Sequence, residues 1–204
     1  MTSRIGLIES FKDTMNRISR DGELKRLTEK TQAGTRLYLR EFSAISPAIR
    51  CEVPDIKVVE DTTFHCAQSY VNGMDKVAVL NFANAYTPGG GVANGAMAQE
   101  ECLCRSSNLF ASLTIHYLLK NYYQANSKNT GPMGTDAVIY SPDVTVFKSD
   151  DPIPEELEHW FRVDVLTCAA TFLDPDKNKP VTMDKLEQVF HDRIKNILEV
   201  AGAN

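Results

Sequence analysis

The sequence predicts an α/β domain, and three observations carry that prediction. A short β-branched run, Val77-Ala78-Val79-Leu80, ends in the polar stretch Asn81-Phe82-Ala83-Asn84 and is broken by Pro88-Gly89-Gly90-Gly91. The helix-forming Ala96-Met97-Ala98-Gln99-Glu100-Glu101-Cys102-Leu103 follows directly, giving the order strand, glycine loop, helix. Further on, Phe161 to Ala169 reads as another strand. Leu186, Val189, Phe190, Ile194, Ile197, Leu198 and Ala201 then recur at helical spacing, as in a crossover helix that leads to a further parallel strand.

Taken in order, Ile5, Ile8, Phe11, Met15 and Ile18 recur every three to four residues and predict an amphipathic helix. Asp21-Gly22 bends the chain into a second, more charged helix over Glu23 to Gly34. Residues 1–50 thus read as a helical extension packed on a domain of residues 51–204. Arg50 to Val59 looks strand-like apart from Pro54. Thr62 or Thr63 suits the cap of a helix through Val71, and Asn72-Gly73 turns into the strand before the glycines. Phe82, by alternation, is expected on the buried face of that strand.

Beyond Glu101 the helix is expected to continue toward Leu113, burying Leu103, Leu109, Phe110 and Leu113. Tyr117, Tyr122 and Tyr123 form a cluster suited to core or surface packing, with stacking on a nucleobase as the alternative. Asn126 to Gly134 reads as a loop. Ala137–Tyr140 and Val144–Phe147 read as two strands about the turn-forming Ser141-Pro142-Asp143. Thr171 to Pro180 is a polar loop, Thr182 an N-cap, and Gly202 the residue that ends the last helix.

Composition excludes several functions. With 204 residues the chain can build an ordinary core without disulfides or metals. Its 22 basic and 27 acidic residues give a net charge of −5, which argues against nonspecific nucleic-acid binding and for local capture of any anionic ligand. No apolar run approaches membrane-spanning length and Met1 to Ile8 lacks a signal-peptide core, so the cytoplasm is the expected compartment. The five cysteines (Cys51, Cys66, Cys102, Cys104, Cys168) show no zinc-ligand spacing and read as reduced structural thiols; no metal is expected.

The functional signal lies in the glycine loop. Three adjacent glycines give a backbone that tolerates positive φ and close approach, with N–H groups able to face an anion. They match neither the P-loop nor the dinucleotide-binding fingerprint. Seven residues separate Gly91 from Gln99-Glu100-Glu101, which places two carboxylates at the start of a helix across from the strand end. Adjacent helical residues diverge by about 100°, so one of the two acids can point into a pocket while the other turns aside. The competing reading of Glu100-Glu101 is an acidic first turn that complements the helix dipole, and that of Asn81 and Asn84 is closure of the strand by bonds to nearby backbone.

Asn81-Phe82-Ala83-Asn84-Ala85-Tyr86-Thr87-Pro88-Gly89-Gly90-Gly91, with Gln99-Glu100-Glu101, resembles the signature of the bacterial-type poly(ADP-ribose) glycohydrolases. The resemblance covers Val58 to Gly202 by general pattern, with its specific part from Asn81 to Glu101. It implies a three-layer α/β/α macrodomain-like fold with a mixed sheet, ADP-ribose or poly(ADP-ribose) as ligand, hydrolysis of the O-glycosidic ribose–ribose bond, and no cofactor. By position it implies that Glu101 is the catalytic acid/base and that Glu100 positions the ribose hydroxyls with Gln99 beside them. Asn84 then holds the ribose next to the scissile bond, and Gly89, Gly90 and Gly91 wrap the diphosphate. Asn81 is a secondary candidate for orienting the loop. The family continues past the last helix into another strand and loop, so the chain is expected to be short of them. Against the enzyme stand two alternatives: an ADP-ribose reader without efficient turnover, and a structural protein whose glycine loop is only a turn.

Overall fold

A computed structural model describes residues 3–39, 54–73, 76–129, 134–151, 153–171 and 182–204. Helix α1 (Arg4–Arg20) starts at Ser3, whose hydroxyl accepts the Gly6 N–H, and buries Leu7, Phe11, Thr14 and Ile18. Asp21 forms the bend read from the sequence. Its N–H closes α1 on the Arg17 carbonyl, and its carboxylate accepts the Leu24 N–H at 2.9 Å to open α2 (Gly22–Gly34). Strand β1 (Arg36–Tyr38), helix α3 (Thr63–Val71) and strand β2 (Ala78–Ala83) follow, then a 3-10 turn over Val92–Asn94. Next come α4 (Gln99–Ser106), α5 (Leu109–Leu113) and α6 (His116–Leu118). The last runs through a π-helical turn (Leu119–Tyr123) into α7 (Gln124–Asn129). Strands β3 (Val138–Lys148) and β4 (Glu156–Ala169) and helix α8 (Met183–Ala203) complete the described chain.

The sheet order is β1-β3-β4-β2, with β4 and β2 parallel and the other pairs antiparallel. This mixed sheet is the middle of three layers. On one face Val79, Ile139, Val144, Val146, Val163 and Val165 pack against Phe11, Phe64, Leu103, Leu109, Leu113 and Leu118 from the helices before β3. On the other, Val138, Tyr140, Leu166 and Cys168 meet Val200 and Ile197 of α8. No described helix is long and apolar enough to cross a membrane.

Several sequence expectations are corrected by the packing. Residues 138–148 form one strand, with a bulge at Ser141–Val144 where Asp143 takes a φ of 51°, because both halves pair with β4. The helix after Glu101 breaks at Ser107–Asn108: Ser107 bridges to Val146, and Asn108 exchanges bonds with Thr145 through its N–H and its Oδ1. The tyrosines take the expected packing roles: Tyr122 and Tyr123 belong to the core, packed edge to face, while Tyr117 is exposed. Helix α8 lies on the sheet through Val189, Arg193, Asn196 and Val200, with the Arg193 guanidinium on Asp136 and the Ala169 carbonyl. Phe190, Ile194 and Leu198 therefore point outward, and Gly202 stays inside a helix that runs on to Ala203. Thr182 does cap it, accepting the Lys185 N–H.

Phe82 is 60% exposed, contrary to expectation. Alternation along β2 turns Val79, Asn81 and Ala83 inward, so the polar Asn81 takes the core phase and Phe82 the outer one. The boundary expected at residues 50 and 51 lies outside the described residues, as do most of the loop before Thr182 and residues 130–133. Pro54 to Val59 carries no regular structure.

Candidate active site

The site forms where the C-terminal end of β2 meets the N-terminus of α4, with the glycine loop between them. Gln99, Glu100 and Glu101 occupy the first turn of α4, whose Ala98 N-cap has no side chain able to bond the turn. The positive end of the helix thus lies under two carboxylates. Both acids are buried, at 3% exposure for Glu100 and 7% for Glu101.

The two carboxylates are held differently. Glu100 bonds through both oxygens: Oε2 accepts the Asn84 N–H at 2.7 Å, while Oε1 accepts the Gly89 N–H at 3.2 Å and the Asn81 amide at 3.5 Å. Glu101 is held through one: Oε1 accepts the Gly91 N–H at 2.8 Å, and Oε2 is buried with no partner. Burial raises the Glu100 pKa to about 7. The Asn84, Asn81 and Gly89 donors oppose that rise, and the neighbouring Glu101 adds to it.

The glycines serve the acids. Gly89 and Gly90 have φ of 67° and 55°, and a Cβ on Gly90 would lie 2.4 Å from Oε1 of Glu101. The sequence suggested that the loop N–H groups face an anionic ligand. Instead those of Gly89 and Gly91 face Glu100 and Glu101, and that of Gly90 bonds the Thr87 carbonyl within the loop. Loop and carboxylates are one hydrogen-bonded unit.

The amides complete its frame. Gln99 sits at the open edge of β2, its Oε1 accepting the Phe82 N–H at 2.8 Å and its Nε2 donating to the Leu80 carbonyl at 2.7 Å. A neighbouring parallel strand would use the same two positions, so the side chain occupies a slot of the sheet ladder. Its Nε2 also reaches Thr63 of α3. Asn81 is fully buried and links Thr167 of β4, at 3.1 Å, to Glu100. The Asn84 Oδ1 accepts the N–H groups of Tyr86 and Thr87, the local turn that the competing reading allowed, while its own N–H fixes Glu100.

Sequence reasoning missed the support behind the loop. Helix α1 reaches it twice: Arg4 Nε donates to the Asn94 carbonyl at 2.7 Å, and Phe11 packs edge to face on Phe110 with ring centroids 4.9 Å apart. Phe110 in turn lies 2.7 Å from where a Cβ on Gly89 would be. The guanidinium of Arg105, fully buried, donates to the Ala96 carbonyl at 2.6 Å. No local motif marks these partners, since each comes from a distant or differently phased part of the chain. Among the described residues no group of three or more His, Cys, Asp or Glu is placed to hold a metal ion.

The family described as microbial-type PARG, catalytic domain, matches residues 10–149, well over half of the chain and all of the stretch from Asn81 to Glu101. The chain belongs to that family. Its match begins inside α1, so the rest of that helix and all of α2, which the resemblance from Val58 onward left out, fall within the matched region. Poly(ADP-ribose) glycohydrolases are glycosidases, and solved structures of two of them are similar to this chain. The enzyme from Thermomonospora curvata is 31% identical with a TM-score of 0.84, covering 96% of this chain and 74% of its own. The same enzyme bound to the inhibitor ADP-HPD gives 32% and 0.81. The Deinococcus radiodurans enzyme in complex with ADP-ribose is 30% identical with a TM-score of 0.75, covering 86% of this chain and 70% of its own. Comparison with curated proteins gives no match.

Proposed function

We propose that this chain hydrolyses the O-glycosidic ribose–ribose bond of poly(ADP-ribose), releasing ADP-ribose, with Glu101 as the acid/base. The observation that carries the choice of residue is the asymmetry of the two carboxylates. Glu100 has both oxygens engaged by the end of β2 and the glycine loop, whereas Glu101 is oriented through Oε1 and keeps Oε2 without a partner. A carboxyl group fixed by one oxygen can protonate the departing ribose oxygen with the other and then take a proton from the attacking water as the ribosyl oxocarbenium-like species collapses.

In this reading Glu100 acts as a hinge pin. It bonds Asn84 and Gly89 on either side of the loop, which keeps Gly91 in place to orient Glu101. Gly89, Gly90 and Gly91 contribute the close, Cβ-free approach that brings backbone and acid together, Gln99 and Asn81 fix the height of α4 against β2, and Asn84 sets the turn that faces the ribose. Helices α1 and α2 then act as part of the catalytic unit. ADP-ribose is the ligand, bound as the terminal unit of a polymer.

The test is release of ADP-ribose from poly(ADP-ribose) by the wild-type chain, Glu101→Gln, Glu101→Ala and Glu100→Gln. Glu101 variants that bind ADP-ribose but release none are expected. Equal release by wild type and both Glu101 variants removes Glu101 from the mechanism, and binding by the wild type without release replaces the enzyme with a reader.

A further inference from the structure

We infer that Arg105 is a positioning residue for this reaction: a buried cation on α4 that holds the far end of the glycine loop against Glu101. The inference rests on the proposed hydrolase reading and adds to it a residue that touches neither carboxylate nor any surface open to ligand.

Arg105 is fully buried. One Nη donates to the Ala96 carbonyl at 2.6 Å, the other to Cys102 Sγ at 3.2 Å, and Nε has no partner. Among the described residues no carboxylate lies within ion-pair distance of it. A desolvated guanidinium with so few acceptors is costly to keep, and a neutral side chain would serve packing better. What the charge holds explains its presence. The Ala96 N–H donates to the Gly91 carbonyl at 3.2 Å, a Cβ on Gly91 would lie 2.9 Å from the Ala96 methyl, and the Gly91 N–H is the donor that orients Glu101.

Arg105, Ala96, Gly91 and Glu101 therefore close a ring whose two ends are one helical turn apart on α4, at positions four residues apart that share a face. The helix clamps the loop at two points, through a cation on the Ala96 carbonyl and a carboxyl oxygen on the Gly91 N–H. Thr14 of α1 fixes the residue from behind, donating through its hydroxyl to the Arg105 carbonyl at 2.5 Å.

The experiment compares the wild-type chain, Arg105→Gln and Arg105→Lys in three measurements: thermal unfolding, ADP-ribose affinity by calorimetry, and kcat and KM for release of ADP-ribose from poly(ADP-ribose). Loss of a charge-assisted bond to the loop is expected to weaken ADP-ribose binding about ten-fold in folded Arg105→Gln and to lower kcat by more than KM rises. Arg105→Lys, which keeps the charge and a donor for Ala96, recovers most of both.

Folded Arg105→Gln with affinity and kcat within two-fold of wild type overturns the inference, whatever its melting temperature. So does a lysine variant no better than glutamine. Should Arg105→Gln not fold, Arg105→Met, which keeps the apolar stem and loses the charge, takes its place: the same losses of affinity and kcat are expected, and values within two-fold of wild type overturn the inference. A wild-type chain that neither binds ADP-ribose nor releases it defeats the hydrolase reading itself, a result separate from any difference among the Arg105 variants.

Discussion

A Cβ on Gly90 would stand 2.4 Å from Oε1 of Glu101, the same oxygen that accepts the Gly91 N–H at 2.8 Å. Glycine at 90 and glutamate at 101 are thus one requirement: the carboxyl group can be held by backbone only where the backbone carries no side chain. Gly90→Ala is expected to push Glu101 off the loop and to meet its own penalty at a φ of 55°. A displacement of this size costs about a hundred-fold in kcat, alongside about 1–3 kcal/mol of stability. Steady-state release of ADP-ribose and a chemical denaturation curve measure the two.

Glu100 couples stability to pH. Its carboxyl group moves from an ordinary value of 4.5 to about 7 on folding, chiefly through burial, so the folded state binds the proton more tightly than the unfolded one. The contribution is fully present below about pH 4.5 and is lost as pH rises through about 7. Melting temperatures from pH 5 to pH 8 are expected to fall more steeply for the wild type than for Glu100→Gln, with a difference on the order of 1–3 kcal/mol across that window. Parallel profiles would show that Glu100 is not the group responsible.

Gln99 imitates a strand at the β2 edge, accepting from Phe82 and donating to Leu80. Gln99→Met loses both bonds and is expected to cost about 1–2 kcal/mol. Gln99→Glu keeps the acceptor but sets a carboxylate against the Leu80 carbonyl. It is expected to be the less stable of the two at pH 8 and to regain stability as the pH falls and the carboxyl group becomes a donor. Urea denaturation at pH 8 and pH 5 checks both the order and its change.

The rear support predicts a stability effect that reaches the site. Gly95 has a φ of 72°, and a Cβ there would lie 2.6 Å from the Arg4 carbonyl, so Gly95→Ala is expected to lift the start of α1 and raise hydrogen exchange over residues 4–11. Phe11→Ala empties the space beside Phe110 and is expected to cost about 3–5 kcal/mol and to weaken ADP-ribose binding, because Phe110 props Gly89. Calorimetric titration of a folded Phe11→Ala sample with unchanged affinity would show that α1 supports the fold without supporting the loop.

What the sequence determined about this protein is what short covalent connections enforce. Seven residues between Gly91 and Gln99 leave the two acids little choice but to sit against the loop, and Asp21 can end one helix and begin the next because both partners lie within four residues of it. Helical period and capping chemistry, which are local, likewise gave α1 and the start of α8, and they set the start of α3 at Thr62 but not the bond that caps it. The tertiary structure decided everything that depends on which distant group arrives first. Asn81 turns inward because Thr167 and Glu100 wait there, and that phase puts Phe82 outside. Asp150, not Thr62, caps α3 by accepting the Phe64 N–H from 86 positions away. The loop donors turn to Glu100 and Glu101, and only that geometry separates an acid with both oxygens engaged from one with an oxygen to spare. Such choices rest on contacts between residues far apart in the chain, whose geometry no local pattern of residue types records.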